Sequence, residues 1–386
     1  MKSLPQSLFR FFCFSFFAYS VAFMDYWYSN LTDDESLSSK WMMRTAALLV
    51  GFSLFIWPFI PRFRYKGIHL ICLLWLFLMP LFSWINGVNI PGYIYPLLWP
   101  LIYEMTYMFC RQQERRTLQL GKLYVAIALV GLYLFFLTRI DIYQGRSPQT
   151  NTIYFVLLTL PWLLYNRKSQ TQLTLMIVFS LFVFLSLKRS AMLSLALMWF
   201  FYTLNVLRSR RGKFLSFFLL VAVFGGISLL FNFIDEQYGG LLDERVNREE
   251  TDQGRNRLAI WEVTGAMISA TPPAQMLVGH GHFAVRRDSP LGISAHNDFL
   301  EVIYDYGLII FVLYLGLWAH VIRRSIYLYR TRSPLFLPYS TSLSIFIVMS
   351  MVSHLILYTS YILFLVMFWA AADTLIEKEQ SEQKTF

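Results

Sequence analysis

The segment Ser294-Ala-His-Asn-Asp-Phe-Leu-Glu301 brings an imidazole, a carboxamide and two carboxylates to the mouth of a long apolar run. An imidazole there could take a proton from an attacking hydroxyl group. Asp298 and Glu301 have the spacing of a capping box, so a helix is expected to begin about here. His296 then sits just outside a helix N-terminus. The positive end of the helix dipole disfavours imidazolium, which helps keep His296 neutral and able to accept a proton. A lone histidine near a helix start is commonly a polar neighbour of the cap, but three polar residues in succession at the entrance to a span weaken that explanation.

Two sets of cations could serve such a base. Gly254-Arg-Asn-Arg-Leu-Ala-Ile-Trp261 opens a helix that Pro272-Pro273 must end, with Leu258, Trp261, Val263 and Met267 as its expected apolar face. Arg257 and Trp261 are four apart and therefore adjacent on the helix surface. An aromatic wall beside a guanidinium holds its planar fork, as a diphosphate clamp requires. The alternative for Arg257 is an ion pair with one of Asp243, Glu244, Glu249, Glu250 or Asp252, the reading preferred for Arg245 and Arg248. Arg255 competes with Arg257 for the clamp, and the sequence does not choose between them. The second set is Lys188-Arg189, in a turn between two apolar runs so short that both cations lie at the membrane interface. There they either bind substrate or snorkel to lipid phosphates.

Gly279-His-Gly-His282 invites a metal, because His280, His282 and His296 could supply three nitrogens to zinc. Alternate residues of a glycine-rich loop need not converge, and no acid stands at motif spacing, so no metal is expected. Gly279 and Gly281 fit a tight turn or a close approach to a phosphate. Four ionisable residues fall in or beside spans. Glu104 and His320 lie near span ends, where snorkelling or capping explains them most simply, and His69 lies near an inner end. His354 falls at an outer turn within reach of the site. No relay can be read among them, and no Ser-His-Asp spacing or Walker-type loop is present.

The elements that must position these groups are membrane helices. Of 386 residues, 56% are hydrophobic and only 15% charged, well below the charged share of a soluble domain. The net charge of +10 would suggest nucleic acid in a soluble protein, but here the cations punctuate apolar runs, and no nucleic-acid partner is expected. Cys13, Cys72 and Cys110 all lie in apolar runs and give no disulfide framework. The first apolar run is followed by many more and reads as a span, not a signal peptide. Spans of roughly 20 residues are expected near 8–24, 43–60, 67–85, 92–109, 121–138, 152–166, 172–187, 190–207, 214–233, 298–320, 335–354 and 356–373. The sixth is short, and no polar turn separates the last two. The fold expected is all-α: a polytopic transmembrane bundle of about twelve spans with one large, partly helical loop. Its parts are helices 1–9 in residues 1–233, the loop carrying the site in 234–297, and helices 10–12 with a tail in 298–386.

Lysine and arginine concentrate in Pro61–Lys66, Arg111–Lys122, Asn166–Gln170, Arg208–Lys213 and Arg323–Ser333, while Asp25, Asp33, Asp34 and Glu35 cluster in the first opposite loop. With the N-terminus inside, every short loop obeys the positive-inside bias, and the long loop faces outward. Outside a cytoplasmic membrane there is no ATP or nucleotide sugar. A synthetic reaction there must use a donor activated beforehand, such as a lipid carrying a phosphate or diphosphate leaving group. Fixed cations for that leaving group and a base for the acceptor hydroxyl are what such a site needs.

The sequence resembles the bacterial O-antigen polymerase and O-antigen ligase superfamily (Wzy and WaaL types), most sharply from Gly254 to Gly307. Arg257-Leu-Ala-Ile-Trp261 is similar to the family's Arg-x-x-(Ile/Leu)-Trp. Pro272/Pro273, Gly279-His-Gly281 and Phe283 resemble its Pro…Gly-x-Gly-x-x-(Phe/Tyr) stretch. His296-Asn-Asp-Phe-Leu and Gly307 match its His-Asn-x-(Phe/Tyr)-Leu and His-x10-Gly pattern. Ser186-Leu-Lys-Arg-Ser-Ala191 looks like its Ser-x-Ser-Arg-Gly-Ala segment, with Lys188 in place of the small residue and Ser190 in place of glycine. The resemblance implies a metal-independent inverting glycosyltransferase of the cell inner membrane, with both termini cytoplasmic, a periplasmic loop and no cofactor. In it, Arg189 and Arg257 hold the diphosphate of an undecaprenyl-diphosphate-linked glycan; Lys188, Arg255, Asn297, Gly279, Gly281 and Trp261 are the further candidate substrate-binding residues of the sequence reading. His296 deprotonates or orients the acceptor hydroxyl. The acceptor is a lipid-linked repeat unit in a polymerase or lipid A–core in a ligase. Membrane lipids and a chain-length regulator are the other expected partners. The short segment between Phe283 and His296 leaves little room for a core oligosaccharide and favours the polymerase. A flippase of lipid-linked sugar is the alternative of another class, but the internal repeats and midplane charges of transporters are missing.

Overall fold

The computed structural model describes residues 5–29, 35–57, 67–143, 151–186, 188–207, 225–226, 236, 257–356 and 359–383. Among these, every regular element is a helix. They are α1 (Gln6–Ser29), α2 (Glu35–Ile56), α3 (Ile68–Ile85), α4 (Ile90–Gln112), α5 (Arg115–Tyr143), α6 (Ile153–Leu157), α7 (Leu160–Leu164), α8 (Ser169–Leu185) and α9 (Arg189–Leu207). Beyond the expected span at 214–233, all but two residues of which lie outside the described residues, follow α10 (Arg257–Ser269), α11 (Pro273–Val278), α12 (Ala284–Asp288) and α13 (Asp298–Glu301). A π-turn (Val302–Tyr306) leads into α14 (Gly307–Arg330), α15 (Phe336–Val352) and α16 (Thr359–Gln383). Six described helices are long and apolar enough to cross a membrane, and three apolar helices or helix pairs are shorter.

The chain divides into two compact units. The first joins Met1–Val130, Arg257–Arg324 and Met349–Phe386. At its centre α16 lies against α4. Ala370, Ala371 and Ala372 are buried on α16, and such small side chains let two helix backbones approach closely without a hydrophobic driving force. Proline should weaken α4, because Pro96 and Pro100 lack the N–H that would bond the carbonyls of Gly92 and Pro96. In this unit both freed carbonyls are bonded again. The Ser83 hydroxyl donates to the Gly92 oxygen at 3.1 Å. Trp75 Nε1–H donates to the Pro96 oxygen at 2.9 Å. In an apolar surrounding a carbonyl left unbonded costs several kcal/mol, roughly, so α3 and α4 are tied together by the prolines that interrupt one of them.

Glu104 and His320, near span ends where snorkelling or capping is the simplest explanation, instead pair with other ionisable side chains. Glu104 is buried and accepts from His69 Nδ1 at 2.9 Å. His320 Nε2 stands 2.7 Å from the buried Asp373 carboxylate. Burial demands partners for charge, and helix packing provides them here.

The second unit joins Gly131–Asn256 and Ser325–Val348. The short sixth span is broken here into α6 and α7, with Pro161 in the first turn of the latter. Helices α8 and α9 pack on each other, pinned by a hydrogen bond of 3.1 Å from Trp199 Nε1 to Ser180 Oγ.

One backbone crossing fixes the loop that carries the site. Gly279 (φ +77°) and Gly307 (φ +79°) meet without side chains. A Cβ on Gly307 would lie 2.4 Å from the Leu277 oxygen, and one on Gly279 would lie 2.3 Å from the Asp305 oxygen. Gly307→Ala is therefore expected to cost at least ~1–3 kcal/mol in backbone strain alone, with the clash added. Thermal unfolding in detergent checks this. Gly292 has a positive φ of +62° but open space around it, so Gly292→Ala should cost less. Equal losses in the two variants would refute the close-packing account.

Candidate functional site

The residues that could do chemistry in the first unit converge on the turn after α15. Helix α10 begins at Arg257 and ends at Ser269, before Pro272-Pro273 as expected, and Pro273 opens the further helix α11. Its buried face differs from the expected one. Ile260 and Thr264 are buried, whereas Leu258 is 65% exposed, because the packing stripe runs through 257, 260, 261, 264, 267 and 268 at helical spacing. Arg257 is half-buried and its guanidinium donates to the Val352 carbonyl. Trp261 Nε1–H donates to the Ala295 carbonyl at 3.0 Å. The helix thus grips both backbones that flank the imidazoles described next.

His296 is held in the left-handed region at φ +54°, a conformation that costs an ordinary side chain strain and is found where surrounding structure imposes it. The expected helix begins two residues on, but its cap is Asn297 and not Asp298. Asn297 Oδ1 accepts from the Phe299 and Leu300 amides at 2.9 and 3.3 Å, and its carboxamide donates to the Met351 oxygen at 3.3 Å. Both residues suit an N-cap by type. Burial decides between them: Asp298 is fully buried and turns instead to the Leu355 and Ile356 amides at 3.0 and 3.3 Å, with Tyr314 OH donating at 3.3 Å.

Glu301 is the second acid of that spacing, and it bonds further back than a capping box would. Its Oε1 accepts from the His296 amide at 3.1 Å. The same carboxylate lies 3.2 Å from His354 Nδ1. The ring of His354 lies on that of His296, with centroids 4.1 Å apart. Glu301 and His354 are both buried. Sequence reasoning placed His354 within reach but gave Glu301 only a capping role. The overlooked signal was an ionisable side chain inside the first turn of an apolar span, which is costly without a function or a partner.

The three loop histidines go to three different neighbours. His280 stacks on Tyr304 with ring centroids 4.2 Å apart, and its Nε2 lies 3.2 Å from the Thr271 hydroxyl. His282 meets the Tyr306 hydroxyl through Nδ1, and burial pushes its pKa down to about 3, so it is neutral. His280 is also lowered, by partial burial. Among the described residues no group of three or more His, Cys, Asp or Glu side chains could hold a metal ion. Gly279 makes its close approach to the Asp305–Tyr306 backbone, and Gly281 to the Val88 side chain. The His280 and Gly281 amides donate to the Tyr304 and Asp305 carbonyls at 3.0 and 2.8 Å.

Arg255, with Arg245 and Arg248, lies outside the described residues. In the second unit, Arg189 is the first residue of α9 and is exposed, while Lys188 Nζ donates to Asn151 Oδ1 at 2.7 Å and sits over the Tyr154 ring. The Ser190 hydroxyl is bonded to that of Tyr154.

The first-unit arrangement joins an imidazole able to exchange a proton, a second imidazole anchored on a carboxylate, and a guanidinium on the same turn. That set suits acid–base chemistry beside an anionic group. The chain, apolar over several long helices, is a membrane protein. No curated protein and no solved structure matches it. Residues 174–315, which include Arg189, Arg257 and His296, match the family model described as O-antigen ligase, and this match supports a relationship with the O-antigen ligase and polymerase superfamily.

Proposed function

We propose that the chain is an O-antigen polymerase of the inner membrane, with about twelve spans, both termini in the cytoplasm and the loop from 234 to 297 in the periplasm. It transfers a glycan from undecaprenyl diphosphate to a lipid-linked repeat unit. The observation that carries this reading is His296, strained at a helix entrance and backed by His354 and Glu301, with Arg257 on the same turn. The acceptor hydroxyl oxygen attacks the anomeric carbon as the bond from that carbon to the diphosphate oxygen breaks. The hydroxyl proton passes to His296, the diphosphate leaves with the carrier lipid, and attack from the opposite face inverts the anomeric centre. Arg257 meets the charge that develops on the leaving group, a role the sequence motifs also give to Arg189, Lys188 and Arg255, and electrostatic stabilisation of that kind is usually the largest catalytic contribution. No metal is required in this scheme, because guanidinium groups take the role of the cation.

The ligase is the second reading, favoured by the description of the matched family. The polymerase reading draws support from the segment between Phe283 and His296. That segment is short, and its buried residues Ala284, Val285 and Ala295 pack with Tyr304, Met267, Ile268 and Leu300. The lipopolysaccharide ladder of cells lacking this chain separates the two. A single core-plus-one-unit band supports the polymerase. Bare core with long chains on the carrier lipid supports the ligase, and an unchanged ladder overturns both. Arg257→Lys retains the charge but loses the planar fork. We expect it to lower transfer about 10- to 100-fold, the worth of one hydrogen bond to a charged group. Full activity in that variant would remove Arg257 from the clamp.

A further inference from the structure

We propose that Glu301 and His354 are a positioning pair for His296, in which the carboxylate provides the charge that matches the imidazolium formed during transfer. This inference rests on the glycosyltransferase reading for its kinetic consequence. Its geometry is independent of that reading. His354 lies outside the stretch 174–315 and is brought to the site only by folding.

Glu301 touches both histidines in different ways. It accepts the His296 backbone N–H at 3.1 Å and stands 3.2 Å from the Nδ1 of His354. Donation from Nδ1–H to a carboxylate sets the tautomer and orientation of an imidazole. The His354 ring then forms a fixed wall 4.1 Å from the ring of His296 at 37°. Two imidazoles this close cannot both be charged without repulsion, but one positive charge beside one buried carboxylate is compensated. When His296 takes the acceptor proton, His354 stays neutral and Glu301 balances the charge.

Other charged or titratable groups face this set. Asp298, from the same turn as Glu301, is engaged by the Leu355 and Ile356 amides and by Tyr314. Asp305 and Tyr306, on the π-turn, lie within Coulombic reach of Glu301. Arg257, from α10, is held at the Val352 carbonyl. Glu301 is distinguished from these by bonding to both histidines.

The test uses the full chain in proteoliposomes, with carrier-linked glycan extracted from cells lacking it as donor and acceptor. Glu301→Gln keeps the shape and removes the charge. We expect kcat to fall about 10- to 100-fold with KM nearly unchanged. Losing the carboxylate lowers the pKa of His296, so the acid limb of the kcat/KM profile should move to lower pH by about one unit. His354→Asn preserves a donor towards Glu301 and should retain more activity than His354→Phe. A merely structural role predicts equal losses in both His354 variants and no movement of the acid limb in Glu301→Gln, and that result overturns the proposal. Selective 15N-histidine labelling gives a readout free of substrate, since the chain has six histidines. The His296 titration should move down in Glu301→Gln. A wild-type protein that transfers nothing overturns the glycosyltransferase reading, while the labelled titration still decides the pairing. If Glu301→Gln fails to fold, the comparison of His354→Asn with His354→Phe decides it.

Discussion

Replacing His296 with alanine is expected to lower glycan transfer about 10²- to 10⁴-fold, the range a general base contributes, while the protein still inserts and unfolds at an undiminished temperature. The physical grounds are separable. The imidazole is the part of His296 that can exchange protons, whereas its structural bond is made by the backbone: the amide donates to Glu301 at 3.1 Å. Alanine keeps that amide. It loses the face contact with His354, but the ring of His296 is only half-buried, so little packing goes with it. A glycan ladder of normal length in His296→Ala would remove the residue from the chemistry. A ladder lost together with the protein would show that the ring is structural.

The largest loss of stability is expected far along the same helices, at Asp373. This carboxylate is 1% exposed and receives Tyr103 OH at 2.6 Å, His320 Nε2 at 2.7 Å and Arg324 Nε at 2.8 Å. Three elements, α4, α14 and α16, meet on it. Asp373→Ala leaves Arg324 and His320 facing a site without its central charge, with Glu377 3.7 Å from Arg324 as a poorer substitute. Removing one partner of a buried pair costs about 3–5 kcal/mol. Removing both costs less, so Asp373→Ala with Arg324→Ala should be more stable than Asp373→Ala alone. Thermal unfolding in detergent measures the order. Glu114→Ala is the control, since its bond to Lys378 is exposed and the midpoint should not move. A double variant less stable than the single one would mean that Arg324 is held by packing and not by Asp373.

The helical and membrane character was legible in composition, because apolar runs of spanning length have few other uses. So were the residue types of the candidate site: a histidine at a span entrance, an arginine four before a tryptophan, and glycines at Gly279 and Gly307. Local pattern also placed the start of the helix near 298, but it could not assign the cap. Asn297 and Asp298 are both good cap residues, and only the burial of Asp298 against Leu355 and Ile356 separates them. For the same reason Leu258 was misread: helical periodicity defines a face but not what that face meets.

The pairing of His296 with His354 was decided by tertiary structure alone. Fifty-odd residues separate Glu301 from His354, and no periodicity or motif links positions across two helices. What joins them is a buried carboxylate that must find donors, in a turn held by Arg257, Asn297 and Asp298 at once. The sequence by itself determined which groups were available and roughly which helix ends carried them. Packing selected which of those groups touch, because burying a charge is tolerable only where the fold has already placed its partner.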